Sequence, residues 1–280
     1  MNPQSSFAIS RRSALKSLLA SGLGGLLPSR VFGRSKTNDG IKQVLDYLET
    51  LRRADGGYAW HGQMVSHLAP TLYAIGCFQA LDRTPPRKSE LIDFTWKHHP
   101  QSVWPLSERR FIFDYQHIQA LSWLGEDVTT LREKIAELKE PRGYNKRYEK
   151  QGNPFFQAEI KHFKSRELVG LPRPSKVFIN FLDARRRDNG SYNTTPASDG
   201  GDGNILNTWW GLEALHSLGR SNENKDSLIQ WLQTCQLSNG GFSHQPYPQM
   251  AGLDDVSYTW AALRALQLLG VGPIDEQACI

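Results

Sequence analysis

The sequence predicts an all-α protein made of paired helices stacked around a common core. Three segments carry the signal, because each repeats one order of parts: a helix, a glycine turn closed by an aromatic residue, a loop, a second helix and a glycine stop. The second helices are apolar on more than one side, as over residues 260–269, which suits a wall with neighbours on both flanks. Thr208 and Thr259 stand 51 residues apart in matching places, a sensible period for two helices and two loops. Units of this kind cannot bury their faces alone, so they must stack.

The first element is a leader. Residues 1–33 hold no acidic side chain and carry Arg11, Arg12, Lys16 and Arg30. The stretch from Ser10 through Arg11, Arg12, Ser13 and Ala14 to Lys16 resembles the twin-arginine export motif, with Ala14 where an aromatic residue is common. A moderately apolar run over 17–27 follows, then Val31, Phe32 and Gly33 as a cleavage region. The run is about half of a bilayer span, so it reads as a signal segment and not an anchor. This resemblance implies a periplasmic or other extracytoplasmic location, no transmembrane anchor after processing, and a mature domain over 34–280. An unprocessed basic tail is the alternative. Without the four leader cations the net charge of +5 falls to +1, which leaves no concentrated basic face for a nucleic-acid partner. The remaining length suffices for one large domain. Cys77, Cys235 and Cys279 show neither paired nor metal-ligand spacing, and the first two read as buried, inert thiols.

Five helix pairs follow in order. In the first, Asp55, Gly56, Gly57 and Tyr58 form the turn and His67 through Thr71 lead into a helix over 72–81. The second joins 90–99 to 111–124, with Ser102, Val103, Trp104 and Pro105 in place of the glycine turn. The third joins 128–139 to 155–168. In the fourth, Asp188, Asn189, Gly190, Ser191 and Tyr192 make the turn before a helix that begins near Asn207 and Thr208 and stops at Gly219. The fifth has Asn239, Gly240, Gly241 and Phe242, then Ser257 to Trp260, and stops at Gly270. An Asp/Asn-Gly-Gly stretch permits positive φ, and the aromatic after it packs the turn onto the core.

These residues resemble the β-subunit repeats of protein prenyltransferases and, more distantly, those of squalene-type cyclases. The stretch from Asp55 to Thr71 is similar to an early repeat, and that from Leu228 through Phe242 to Trp260 to a late one. The resemblance covers most of 41–270 and implies an α/α toroid. Six pairs are usual there, so five imply an open ring or a disguised sixth pair. The related transferases also pair with a helical partner subunit.

In that family a zinc ion held by Asp, Cys and His activates the acceptor thiol. One placement of the motif gives Asn204 and Leu206, with Tyr258 at the histidine position; the other gives Asp255 and Ser257, with no histidine to follow. Neither completes the triad, so zinc-dependent prenylation is not expected. Cations for a diphosphate are also missing, since no Lys or Arg occurs over 188–219 or 226–263. Basic residues crowd 139–176 instead, facing a phosphate or acidic glycan, or simply solvent. Cyclases of the superfamily use an acidic carboxyl from Asp-x-Asp-Asp. Asp254 and Asp255 supply its last pair as candidate catalytic acids, with Gly252 at the first position; helix-end charge complementarity is the alternative.

Asp199, Asp202 and Asn204 offer oxygen ligands for calcium, though their spacing differs from an EF-hand; a capped loop is the other reading. His61 and His67 from the first unit and His244 from the fifth serve either a common metal or acid–base site or local hydrogen bonds. Tyr58, Trp60, Tyr73, Tyr192, Trp209, Trp210, Phe242, Tyr258 and Trp260 recur in matching places and, with His67 and His244, outline a candidate ligand pocket or a filled core. The resulting expectation is an exported toroid holding an isoprenoid-like or other apolar small molecule or lipid. The alternatives are a transferase with a substituted site and a carbohydrate-binding toroid using exposed Trp60 or Trp104.

Overall fold

The computed structural model describes residues 38–98, 108–137, 156–172, 176–246 and 256–276. Among them are ten α-helices in five consecutive pairs: α1 (Asn38–Leu51) and α2 (Leu68–Ala80), α3 (Lys88–Lys97) and α4 (Glu108–Trp123), α5 (Arg132–Glu137) and α6 (Phe156–Leu168), α7 (Lys176–Asp183) and α8 (Ile205–Ser217), α9 (Lys225–Thr234) and α10 (Val256–Leu268). The helix expected from 128 begins as a 3₁₀ turn, Val128–Leu131, because Asp127 accepts hydrogen bonds from the backbone N–H and hydroxyl of Thr129. No helix is long and apolar enough to cross a membrane, among the described residues.

The even-numbered helices pack on one another in chain order, α2 on α4, α4 on α6, α6 on α8 and α8 on α10, whereas α3, α5 and α9 pack on their own partners. The result is an inner wall with an outer layer. Sequence explains the sorting. Outer helix α1 buries Ile41, Val44, Leu48 and Leu51, a single stripe at helical spacing. Inner helix α10 buries Thr259, Ala261, Ala262, Leu263, Ala265 and Leu266, which wrap most of its circumference.

One hydrogen bond recurs wherever the turn is described. The backbone N–H of Tyr58 donates to Thr71 Oγ1, that of Tyr192 to Thr208 Oγ1 and that of Phe242 to Thr259 Oγ1, each at 3.0 Å. Each aromatic is fully buried, and each threonine sits on an inner helix. The turns are near copies. Asp55, Asn189 and Asn239 each accept the N–H two residues on, and Gly56, Gly190 and Gly240 take φ of +92°, +81° and +82°. That left-handed backbone closes a short hairpin in which Arg52, Arg186 and Gln236 pair with the three aromatics.

Each turn also docks on the chain that follows its inner helix. Arg52, with its guanidinium buried, donates to the carbonyls of Pro86 and Arg87, and a Cβ at Gly57 would lie 2.5 Å from the Phe94 ring of α3. Asn222 and Asn224 donate to the carbonyls of Gly190 and Asp188. Gln236 exchanges two hydrogen bonds with the backbone of Asp275.

The stops are uniform. Asp82, Gly125, Gly170, Gly219 and Gly270 all have positive φ, and the next residue's N–H reaches back to Phe78, Leu121, Arg166, Leu215 and Leu266 respectively. The first unit therefore lacks the expected glycine stop: Asp82 does its work, as a short polar side chain tolerates this region. Two large apolar clusters result, one over α1–α4 and one over α6–α10, and Tyr115 of α4 packs against both.

Replacing Thr208 with valine keeps the shape but leaves the Tyr192 N–H buried without an acceptor. We expect Thr208→Val to lose about 1–3 kcal/mol in denaturant unfolding, and Thr208→Ser to lose much less.

Candidate functional site

On α8, Thr208 and Gly211 face Tyr192 and the outer layer, and a Cβ at Gly211 would come 2.5 Å from the Tyr192 ring. Trp209, Trp210 and Glu213 lie on the opposite side of the helix and turn inward. Side chains from the other inner helices meet them. Trp210 contacts Tyr115 edge to face at 5.5 Å, although α6 stands between α4 and α8 in the wall, so this contact crosses the interior. Trp209 lies against Trp210 at 4.6 Å. Burial pushes the Tyr115 hydroxyl well above the ordinary tyrosine range, with Glu213 and Tyr73 adding to it. Tyr73 is 57% exposed, yet burial raises its hydroxyl as well, a combination expected on a concave surface. Trp60, from the loop after the first turn, lies 5.8 Å from Tyr73.

The polar groups of this interior are mostly committed. Glu213 Oε1 accepts from Trp209 Nε1 at 3.2 Å and from Arg264 Nη2 at 3.3 Å, and Arg264 also donates to Gln267 and lies 5.9 Å from the Trp260 ring. Gln157 of α6 donates to Asn207, which donates to Thr194. Lys161 of α6 stands 5.1 Å over the Trp210 ring, half-buried, and burial brings its ammonium down to about 8. On the same helix His162 is buried with neither ring nitrogen hydrogen-bonded and Phe111 4.5 Å away; burial, reinforced by Arg166, lowers it to about 3.

The residues singled out in the sequence fall into three groups. Tyr58, Tyr192 and Phe242 are fully buried and held by the turn hydrogen bonds, so they support the wall from behind. Trp60, Tyr73, Trp209, Trp210 and Trp260 belong to the interior network, while Tyr258 is half-buried and 5.1 Å from the His244 ring. His61 and His67 are exposed; burial lowers the His244 pKa. Among the described residues no group of three His, Cys, Asp or Glu side chains could hold a metal ion. Asp254, Asp255 and Trp104 lie outside the described residues. Burial raises the Cys77 and Cys235 thiols to about 11 and about 12, which leaves them unreactive at neutral pH.

Of the zinc-motif positions, Asn204, Leu206, Ser257 and Tyr258 are among the described residues and Asp255 is not. Asn204 caps α8, its side-chain oxygen accepting the Asn207 N–H at 2.9 Å, and Leu206 packs against the core. Ser257 is exposed. The calcium loop has a different resident cation: the Arg187 guanidinium donates to the carbonyls of Gly200, Gly201 and Thr195, with Asp199 and Asp202 near it. Arg53, in the same place in the first turn, holds the Gln63 carbonyl in the same way.

Tyr115, Lys161, Glu213 and Arg264 were not foreseen. The signal for two of them is the period itself: Glu213 and Arg264 occupy the same place in their repeats, each five residues after the turn-binding threonine. Lys161 is the exception to a solvated basic stretch; of its neighbours, Lys164 pairs with Glu167 and Lys176 is exposed.

A family model, the prenyltransferase alpha-alpha toroid domain, matches residues 18–151 and 179–280. The match spans most of the chain, and the protein belongs to that family; its helix pairs form an all-α toroid fold. Among curated proteins none matches the chain at a significant level.

Two measurements check this reading. Arg187→Met should speed protease cleavage within 193–203 in limited proteolysis, and added calcium should not restore protection. Because His162 is lowered in the folded state, the unfolded chain alone takes up its proton below pH 6.5, so stability falls as pH drops from about 6.5 towards 3. Each unit costs about 1.4 kcal/mol, and His162→Phe should flatten that slope in denaturant titrations.

Proposed function

We propose that this toroid is exported through a twin-arginine-type leader and holds an isoprenoid-like or other apolar small molecule against its aromatic interior, without zinc-dependent protein prenylation. The observation that carries the reading is the meeting of Tyr115 and Trp210 across the interior, with Trp209 and Tyr73 beside them. An apolar face with a few fixed polar groups is the usual chemistry of a small-molecule site. The polar groups present, Glu213 with Arg264 and Gln157 with Asn207, satisfy one another without demanding a charged ligand, and the first pair also holds Trp209 and Trp260. The leader's paired arginines and short apolar run support export.

Organic extraction of the purified protein followed by mass spectrometry should release a bound isoprenoid or lipid. Tryptophan fluorescence should report farnesol binding, weakened about tenfold by Trp210→Ala, a loss of about 1.4 kcal/mol. Retention on polysaccharide, abolished by Trp60→Ala, together with no farnesol binding would replace this reading with a glycan-binding one. Export is checked separately: Arg11→Lys with Arg12→Lys should leave the chain in the cytoplasm.

A further inference from the structure

Lys161 differs from every other charged group of the interior network. Glu213 and Arg264 neutralise each other, and Lys164, one turn further along α6, has both Glu167 and the Ser217 hydroxyl. The Lys161 ammonium has no hydrogen bond and no ion pair among the described residues; its described partner is the face of the Trp210 ring, 5.1 Å away. Its place is also central, since Trp210 is the ring that meets Tyr115 across the interior. We propose that Lys161 captures the carbonyl carbon of an aldehyde-bearing apolar molecule as an imine. This rests on the apolar-ligand reading above and names the functional group such a ligand carries.

The chemistry follows from the surroundings. A lysine becomes a nucleophile when an apolar setting disfavours its ammonium form, because only the neutral amine has a lone pair to donate. With its pKa lowered to about 8, Lys161 keeps a substantial neutral fraction near neutral pH. The amine nitrogen forms a bond to the carbonyl carbon and the carbonyl oxygen takes up a proton, giving a carbinolamine. Loss of that oxygen as water, whose two hydrogens are the two protons of the neutral amine, leaves a C=N bond. Nothing is oxidised or reduced, and no second reactant is needed. A polyanion fits less well. Clamping a diphosphate takes several free cations, and among the described residues of this network Arg264 is already held by Glu213.

The test uses the full chain with farnesal and cyanoborohydride, which fixes an imine as a secondary amine that peptide mass spectrometry can place. The expected result is one adduct per chain on Lys161, formed at least roughly tenfold faster than on other lysines at pH 7, with a rate that rises to half-maximum near pH 8. Lys161→Arg should abolish that adduct while the slower adducts on the other lysines persist. Adducts spread evenly over the lysines and unchanged in Lys161→Arg would overturn the proposal. Farnesol binding without a Lys161 adduct defeats the imine and leaves the apolar site standing; loss of both defeats the two readings together. Binding of farnesoic acid that weakens tenfold or more in Lys161→Met, with no farnesal adduct, makes Lys161 an anion partner and likewise overturns the imine.

Discussion

The toroid depends on a hydrogen bond between a turn and a helix that are not covalent neighbours. A hairpin turn leaves the N–H of its closing residue pointing into the protein, where an unmet donor costs about 1–3 kcal/mol. Thr71, Thr208 and Thr259 meet that need from the inner wall. The bond fixes how far the turn stands from the inner helix, and so where the aromatic ring enters the space between layers. Gly211 shows the fit on the other side, since any side chain there would collide with Tyr192. Ring position, helix spacing and the inward aim of Trp209 and Trp210 follow from one contact.

Much of this was legible because the turn has a strong local grammar. Asp or Asn before glycine, an aromatic next and a threonine further on mark the same contact three times, and the period between those marks points to the two weaker pairs that the described residues also contain. Boundaries at 128–139 were less clear, because Asp127 starts a 3₁₀ turn through a side-chain bond that periodicity does not register. The interior was harder still. Tyr58, Tyr192 and Phe242 look equivalent to Trp60 and Tyr73 in a list of aromatics, yet they face opposite sides of the wall. Alternation around a helix decides this, and the threonine supplies the reference direction. Lys161 was hidden inside a run of cations that composition assigns to solvent.

The interior separates two kinds of work. Aromatic rings from α2, α4, α8 and α10 provide apolar surface, while the Glu213 and Arg264 pair fixes two of the tryptophans in place. Desolvation then acts on whatever is left without a partner. It lifts the Tyr115 hydroxyl and weakens the hold of Lys161 on its proton. The same absence of water that favours an apolar ligand therefore sets the protonation of the groups around it.

The docking of each turn on the following outer element has a mechanical consequence. Arg52 reaches to Pro86 and Arg87, Gly190 is gripped from Asn222, and Gln236 holds Asp275. Every described joint points the same way along the chain, like tongues set into the next board. Each described turn thereby fastens its pair to the next stretch of chain, so the seams add to the cohesion that helix packing supplies. The stretch around Asp275 receives the third of these turns in the same way.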